Sequence, residues 1–363
     1  MEFHFPQRVR LGQGVSQQLG LAAKEAGVRA LLLTESSLES GKELGILTHS
    51  LERAGVPFLV LSKSSRQTVI EYQKEALAIA AASRMDVLVA MGSSDLLSLG
   101  RSVASELAAK RRVPYLEVPT VVCFPLLLRP EAFLTTGHPS DMRFLQLPPE
   151  IDFQEFIDPH MATGQTPKTS VMLLLEALFF AVEGYFHEAA GLLEQSLLLG
   201  AIEALWSNLK KIQENPANAE YRSVAAQAGF NVSVALACLP RGAGLTFSYA
   251  LAGIAGVSSS SFGSLFLAPF LEHFGHRAGN RMARLAPAFG LSDYEGEPDT
   301  LGPKIAQEVR KFLNISKLPM RLAEFQLVDT QLTLAVDVVR GFGLQRGGVL
   351  DPERLQEFLQ LVL

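Results

Sequence analysis

The chain has 363 residues, of which 48% are hydrophobic and 19% charged, with a formal net charge of −5. That length accommodates two domains with separate cores, and so apolar a composition excludes an intrinsically disordered chain. The negative balance supplies no field for nucleic acid, and the one basic cluster, Lys110–Arg112, closes a helical pattern where cations complement the helix dipole. The opening "MEFHFPQRVRLG" shows no signal-peptide pattern. The most apolar stretches, 171–182 and 243–257, are shorter than the ~20 residues of a bilayer span. Cys123 and Cys238, far apart and outside any CxxC, fit a reducing cytoplasm. A cytoplasmic protein with neither nucleic acid nor membrane as partner is the expectation.

Along the first 120 residues, strand-length apolar runs alternate with amphipathic stretches. The runs are "RALLLT" (29–34), "PFLVLS" (57–62), "DVLVAMG" (86–92) and "PYLEVPT" (114–120). Short continuous apolar strands between helices are what a parallel sheet covered on both faces requires. Ligands of such Rossmann-like sheets lie at the carboxyl ends of the strands.

From about residue 160 the period becomes helical and stays so. "TSVMLLLEALFFAVEGYF", "EAAGLLEQSLLLGAIEALWSNLKKIQ", "SVAAQAGFNVSVALACL" and "QLTLAVDVVRGF" all read as long apolar helices. The last helix has a legible start, with Asp351 as N-cap, Pro352 in the first helical position and Glu353 in the first turn. An α/β domain over 1–159 and an all-α domain over 160–363 are predicted. A cleft between two domains is a usual place for a small-molecule site.

Six segments in order resemble the iron-containing alcohol dehydrogenase family, relatives of glycerol dehydrogenase and dehydroquinate synthase. They are "FPQRVRLGQG" (5–14), "LLLTESSLESG", "DVLVAMGSSDLLSLGRSVA", "EVPT", "FIDPHMATGQTP" and "SKLPMRLAEF" (316–325). The resemblance runs nearly end to end and implies a dehydroquinate synthase-like fold. It also implies a divalent metal, a dinucleotide cofactor and dimerisation through the first domain.

The functional motifs depart from that pattern. The family binds its ion with an Asp, a His four residues later and two further His on the next helical hairpin. By resemblance these positions carry Glu176, Phe180, Phe247 and Phe262, or Ser261 with a slip of one residue. Residues 222–270 contain no Asp, Glu or His, and Cys238 is the only other donor there. Divalent iron or zinc needs about three to four N, O or S donors, so metal is expected to be absent. Phenyl rings would fill the volume of the lost ion with apolar surface, stabilising by roughly 1.5–3 kcal/mol each. Glu176 remains as the candidate acid or base. Among Leu173, Leu175, Phe179 and Phe180 its carboxyl should be protonated, hydrogen-bonded or paired, with Arg241 as a candidate partner. The other reading is that it reaches the cleft and water.

At the dinucleotide end the resemblance places Glu35 on the adenine ribose, Gly92, Ser93 and Ser94 in the phosphate loop, Ser98 at the family's Asp position and Thr120 at the start of a third cofactor loop. Glu35 equally reads as a partner for a helix N-terminus. Ser93 and Ser94 replace glycines, Asp95 brings negative charge to the phosphate seat, and Arg101 takes a lysine position. "VVCFPLLL" after Thr120 puts bulky groups where small ones line the cofactor. NAD(P) binding therefore stays open.

His4, His49, His138, His160 and His187 are scattered, while His273 and His276 share a helix face and read as an exposed helix end rather than a metal pair. "RGAG" (241–244) and "RGFGLQRGG" (340–348) read as helix ends and turns, and "SSSS" (258–261) as a polar loop. Two functions follow as expectations. One is a degenerate homologue without metal-dependent dehydrogenase activity that binds a ligand or a protein partner. The other is an NAD(P)-dependent oxidoreductase with a metal-free site, using Glu176 with His273 or His276. A homodimer fits either.

Overall fold

The apolar runs of the first half become a sheet. The computed structural model describes residues 5, 7–135, 142–292 and 296–363. In it β1 (Arg8–Leu11), β2 (Ala30–Glu35), β3 (Phe58–Lys63), β4 (Val87–Gly92) and β5 (Val113–Pro119) are joined by α1 (Leu19–Ala26), α2 (Lys42–Ala54), α3 (Val69–Ala82) and α4 (Ser94–Ala108). The later β6 (Glu131–Leu134) and β7 (Arg143–Gln146) form a separate antiparallel ribbon, and β8 (Ile151–Ile157) returns to the sheet. The sheet order is β1-β8-β5-β4-β2-β3 and every pairing is parallel.

One face is covered by α1 and α2, whose Leu19, Ala23, Leu47 and Leu51 pack on Leu32, Val89, Leu116 and Phe156 of the strands. On the strands' other flank α4 packs over β4 and β5. α3 starts at a reciprocal cap between Thr68 and Glu71, which satisfies two backbone donors at once. β8, second in the sheet order, carries no apolar strand signal in its sequence. "IDFQEFI" carries Asp152, Gln154 and Glu155, and polar residues hide a strand that is buried on both sides.

This first compact unit runs to Gly164 and the second from Gln165. The turn after β8 stays with the sheet because Gly164 N–H donates to Glu43 Oε1 of α2 (3.0 Å). Asp158 likewise accepts from the backbone of Gly14 and Ser16.

The second unit is helical among its described residues. It comprises α5 (Pro167–Phe186), α6 (Leu192–Glu214), α7 (Ala219–Cys238), α8 (Ala243–Ala255), α9 (Ser260–Phe274), α10 (Asn280–Leu285), α11 (Pro298–Ile315), α12 (Asp329–Gly341) and α13 (Leu355–Val362). α5 packs against α6, α7, α8 and α9. By length and composition α5 is the one described helix able by itself to cross a bilayer, yet 89% of its apolar window is buried inside the protein. Asp351 caps the turn that leads into α13, accepting from Glu353 and Arg354 N–H. The serine run is not wholly a loop: Ser260 and Ser261 open α9.

Candidate functional site

In the first unit the carboxyl ends of β2 and β4 bring Glu35 to the start of α4. Glu35 Oε1 accepts the Ser93 N–H at 2.7 Å. Ser93 itself caps α4, its hydroxyl accepting from Leu96 N–H at 3.4 Å. Gly92 is the close-approach point. A Cβ there would stand 2.6 Å from Leu96 Cδ2 and 2.7 Å from Glu35 Oε1, so no side chain fits without movement. Thr120 N–H donates to Gly92 O (3.0 Å), and Ser94, Ser98 and Thr120 are buried. Glu35, Gly92, Ser93 and Thr120 are thus brought together, and the Ser93 amide at the start of α4 already holds a carboxylate.

Asp95 adds a second acid in the first turn of α4. Crowding by the surrounding protein and repulsion from Glu35 push its carboxyl up to about 6, with Lys63 opposing. Because the residue as a whole is exposed, water screens that shift and it carries no stability.

Arg101 turns into the protein interior. It is fully buried, with Nε and Nη2 each donating to Glu117 at 2.7 Å and Nη2 also reaching Glu155 Oε1 at 3.3 Å. Its Nη1 donates to the carbonyls of Leu126, Arg129 and Glu131, and its Nη2 to that of Leu127. The guanidinium stacks over Phe124 (4.7 Å) and Phe153 (5.3 Å). The bulky segment after Thr120 is therefore wrapped around a buried arginine. Spacing alone could not have found this, because Glu155 sits on the strand that went unread.

In the second unit α5 carries Glu176 and Phe180, both buried. A Cβ on Gly263 of α9 would fall 2.7 Å from Glu176 Cγ, so this glycine is what lets the two helices close beside the carboxyl. Phe180, Phe247 and Phe262 are each 0% exposed. Among the described residues no ring contact joins these three directly. They meet through Phe266, which stacks on Phe247 (5.6 Å, 8° between planes) and contacts Phe262 (6.4 Å) and Phe179 (5.8 Å). Phe179 in turn touches Phe180 at 5.8 Å. The hub, Phe266, was not singled out by sequence; it differs from its neighbours only in the partners that folding gives it. Among the described residues no three of His, Cys, Asp and Glu come together to hold an ion.

The proposed convergence of Glu176 with His273 or His276 does not occur. Glu176 lies at Gly263, and His273 is ten residues further along α9, roughly 15 Å by the 1.5 Å rise per residue. His273 and His276 are exposed, and His273 Nε2 lies 3.6 Å from its neighbour Glu272. His4 and His138 lie outside the described residues.

A different acid on α5 does have a defined task. Glu183 is buried and accepts the N–H groups of Gly244 (2.6 Å) and Leu245 (2.9 Å), capping α8. Burial pushes its carboxyl up to about 7, against the pull of these two amides. Gly242 and Gly244 are required there, since a Cβ on either would meet the Glu183 carboxylate at 2.2 Å and 3.0 Å. Arg241, half-buried, lines the same small recess with Glu183 and His187. His187 Nδ1 accepts from Ala189 N–H (3.1 Å), its Nε2 has no hydrogen-bond partner among the described residues, and burial lowers its pKa.

Comparison with known proteins places these features. The sequence matches the iron-containing alcohol dehydrogenase family over residues 6–145. It matches the C-terminal part of the Fe-containing alcohol dehydrogenase family over 170–356. It is 25% identical to a maleylacetate reductase of Burkholderia cepacia over 292 residues, 78% of each chain. The fold is similar to that of NADH-dependent butanol dehydrogenase A from Thermotoga maritima (TM-score 0.84, 17% identity, 100% of this chain and 98% of that one). It is also similar to a 1,3-propanediol oxidoreductase (TM-score 0.86, 15% identity, all of both chains). A third similar structure is maleylacetate reductase from Agrobacterium tumefaciens (TM-score 0.77, 16% identity, 100% and 97%). At these identities the structures speak for the fold, while the two matched segments together span most of the sequence. The chain belongs to the iron-containing alcohol dehydrogenase family.

Proposed function

We propose that this chain is a degenerate member of its family, without metal-dependent alcohol oxidation, that serves as a ligand- or partner-binding protein. The observation that carries this reading is the aromatic network. The positions that by resemblance hold the ion carry Phe180, Phe247 and Phe262, all fully buried and tied through Phe266. Glu176 alone offers one donor set where about three to four ligands are needed, so these residues do not fit a divalent ion. In the family's chemistry the ion polarises the substrate alcohol and stabilises the developing alkoxide. Without it, hydride transfer loses several kcal/mol of stabilisation. Glu35 on the Ser93 amide and Asp95 beside it weigh against tight binding of a diphosphate.

The experiment is a metal analysis of the purified protein, paired with a calorimetric titration of NADH and an ADP-ribose control. Stoichiometric iron or zinc would overturn the loss of metal. Silence in both measurements is the expected result and directs the search to protein partners. Saturable NADH binding without metal would favour the second reading, a metal-free NAD(P)-dependent oxidoreductase. That reading draws on the match to maleylacetate reductase and keeps Glu176 as the candidate acid or base. In both readings the chain is a homodimer of the cytoplasm. Cys123 and Cys238, which form no disulfide, are consistent with a reducing compartment. Light scattering on the eluted protein tests the dimer.

A further inference from the structure

Two glutamates lie side by side in the core of the sheet. Glu117 of β5 and Glu155 of β8 are direct partners in the parallel ladder, on strands about 4.8 Å apart, and both are 0% exposed. The groups facing them are few. From α4 comes Arg101, which gives Glu117 two bonds of 2.7 Å and Glu155 one of 3.3 Å. From β5 comes Tyr115, whose hydroxyl donates to Leu97 O at 3.2 Å. On β1 the partner of Glu155 is Val9, and Arg10 is committed to Gln154 (2.9 Å) and the Phe156 ring (4.9 Å). At the start of β6, Glu131 contributes its carbonyl to Arg101, while its carboxylate accepts from Gln146.

Charge must therefore balance within the cluster, and two carboxylates face one guanidinium. Leaving the second carboxylate ionised would place an uncompensated charge out of reach of water. The geometry also says which residue yields. Glu117 has the bidentate contact, whereas Glu155 Oε2 is buried with no hydrogen-bond partner among the described residues. The geometry points to one proton retained on the Glu117–Glu155 pair at neutral pH, seated on Glu155, so that Arg101 and Glu117 form a neutral core. Burial first, and the neighbouring Glu117 second, hold the Glu155 carboxyl well above the ordinary range. The consequence reaches the segment after Thr120. Arg101 collects four carbonyls between Leu126 and Glu131, so the guanidinium that the pair neutralises also anchors that segment.

Glu155→Gln imitates the protonated form and should leave the fold intact. Urea unfolding of both proteins across pH 5 to 9 is the test. The wild-type unfolding constant, divided by that of Glu155→Gln, should rise tenfold per pH unit above about 4.3, because only the unfolded wild-type chain releases the proton. A ratio that stays flat overturns the shared proton. Should Glu155→Gln fail to fold, infrared spectroscopy of the Glu176→Gln/Glu183→Gln double variant decides. That background removes the two buried acids of α5, and Asp95, at about 6, is mostly ionised at pH 7. A protonated-carboxyl C=O band at pH 7 is expected, and its absence overturns the inference.

Discussion

Replacing Phe180 by histidine puts the family's ligand type back at the position that carries a phenyl ring. If Phe180 is now core, Phe180→His should cost stability and return no metal. The ring is fully buried and touches Phe179 at 5.8 Å and Tyr249 at 6.4 Å. Part of the roughly 1.5–3 kcal/mol of apolar burial is lost. Each aromatic contact is worth about 0.5–1.5 kcal/mol. An imidazole nitrogen without a partner costs a further 1–3 kcal/mol or so. Together these predict a destabilisation of about 3–5 kcal/mol. With Glu176 the variant would still have only two donors, below the three or four that hold iron or zinc. Urea unfolding with and without added zinc measures both quantities. The reasoning is refuted if the variant is as stable as the wild type. It is equally refuted if zinc stabilises it by about 2.7 kcal/mol, the effect of ligand at a hundredfold its dissociation constant.

Two further substitutions probe the same helices. Glu183 has its carboxyl raised from 4.5 to about 7, so its neutral form is favoured in the fold. Its contribution is full below the unfolded value and is lost as pH rises through about 7. The loss comes to about 3 kcal/mol over that window. Glu183→Gln should remove this slope, and unfolding curves at pH 5 and pH 8 that shift in parallel for both proteins would contradict it. Phe266→Ala removes the ring shared by Phe179, Phe247, Phe262 and Phe358. It should cost about 4–5 kcal/mol in denaturant unfolding, near the top of the range for such truncations. A cost below 2 kcal/mol or so would show that the rings are not a shared core.

Much of this was legible in one dimension. Strand-length apolar runs separated by amphipathic segments determined four of the parallel strands. Of these, β2, β4 and β5 are buried and need apolar residues nearly throughout, whereas β3, at the edge, leaves Leu59 and Val60 exposed. Helical periodicity after residue 160 determined the second unit, and the motif order determined the family. The want of His, Asp and Glu from 222 to 270 is the ground on which the sequence leads us to expect no metal, since donors must be present before geometry can matter. What only the tertiary structure decided concerns pairs of residues far apart in the chain. β8 was hidden because Glu155 is tolerable in a sheet core only with Arg101, 54 residues earlier, beside it. Glu35 found the Ser93 amide 58 residues later, and Glu183 the Gly244 amide 61 residues later. Phe266 became the centre of the aromatic network through partners on α5, α8 and α13. Periodicity reports which face of an element is apolar; which charge meets which counter-charge is set when the elements pack.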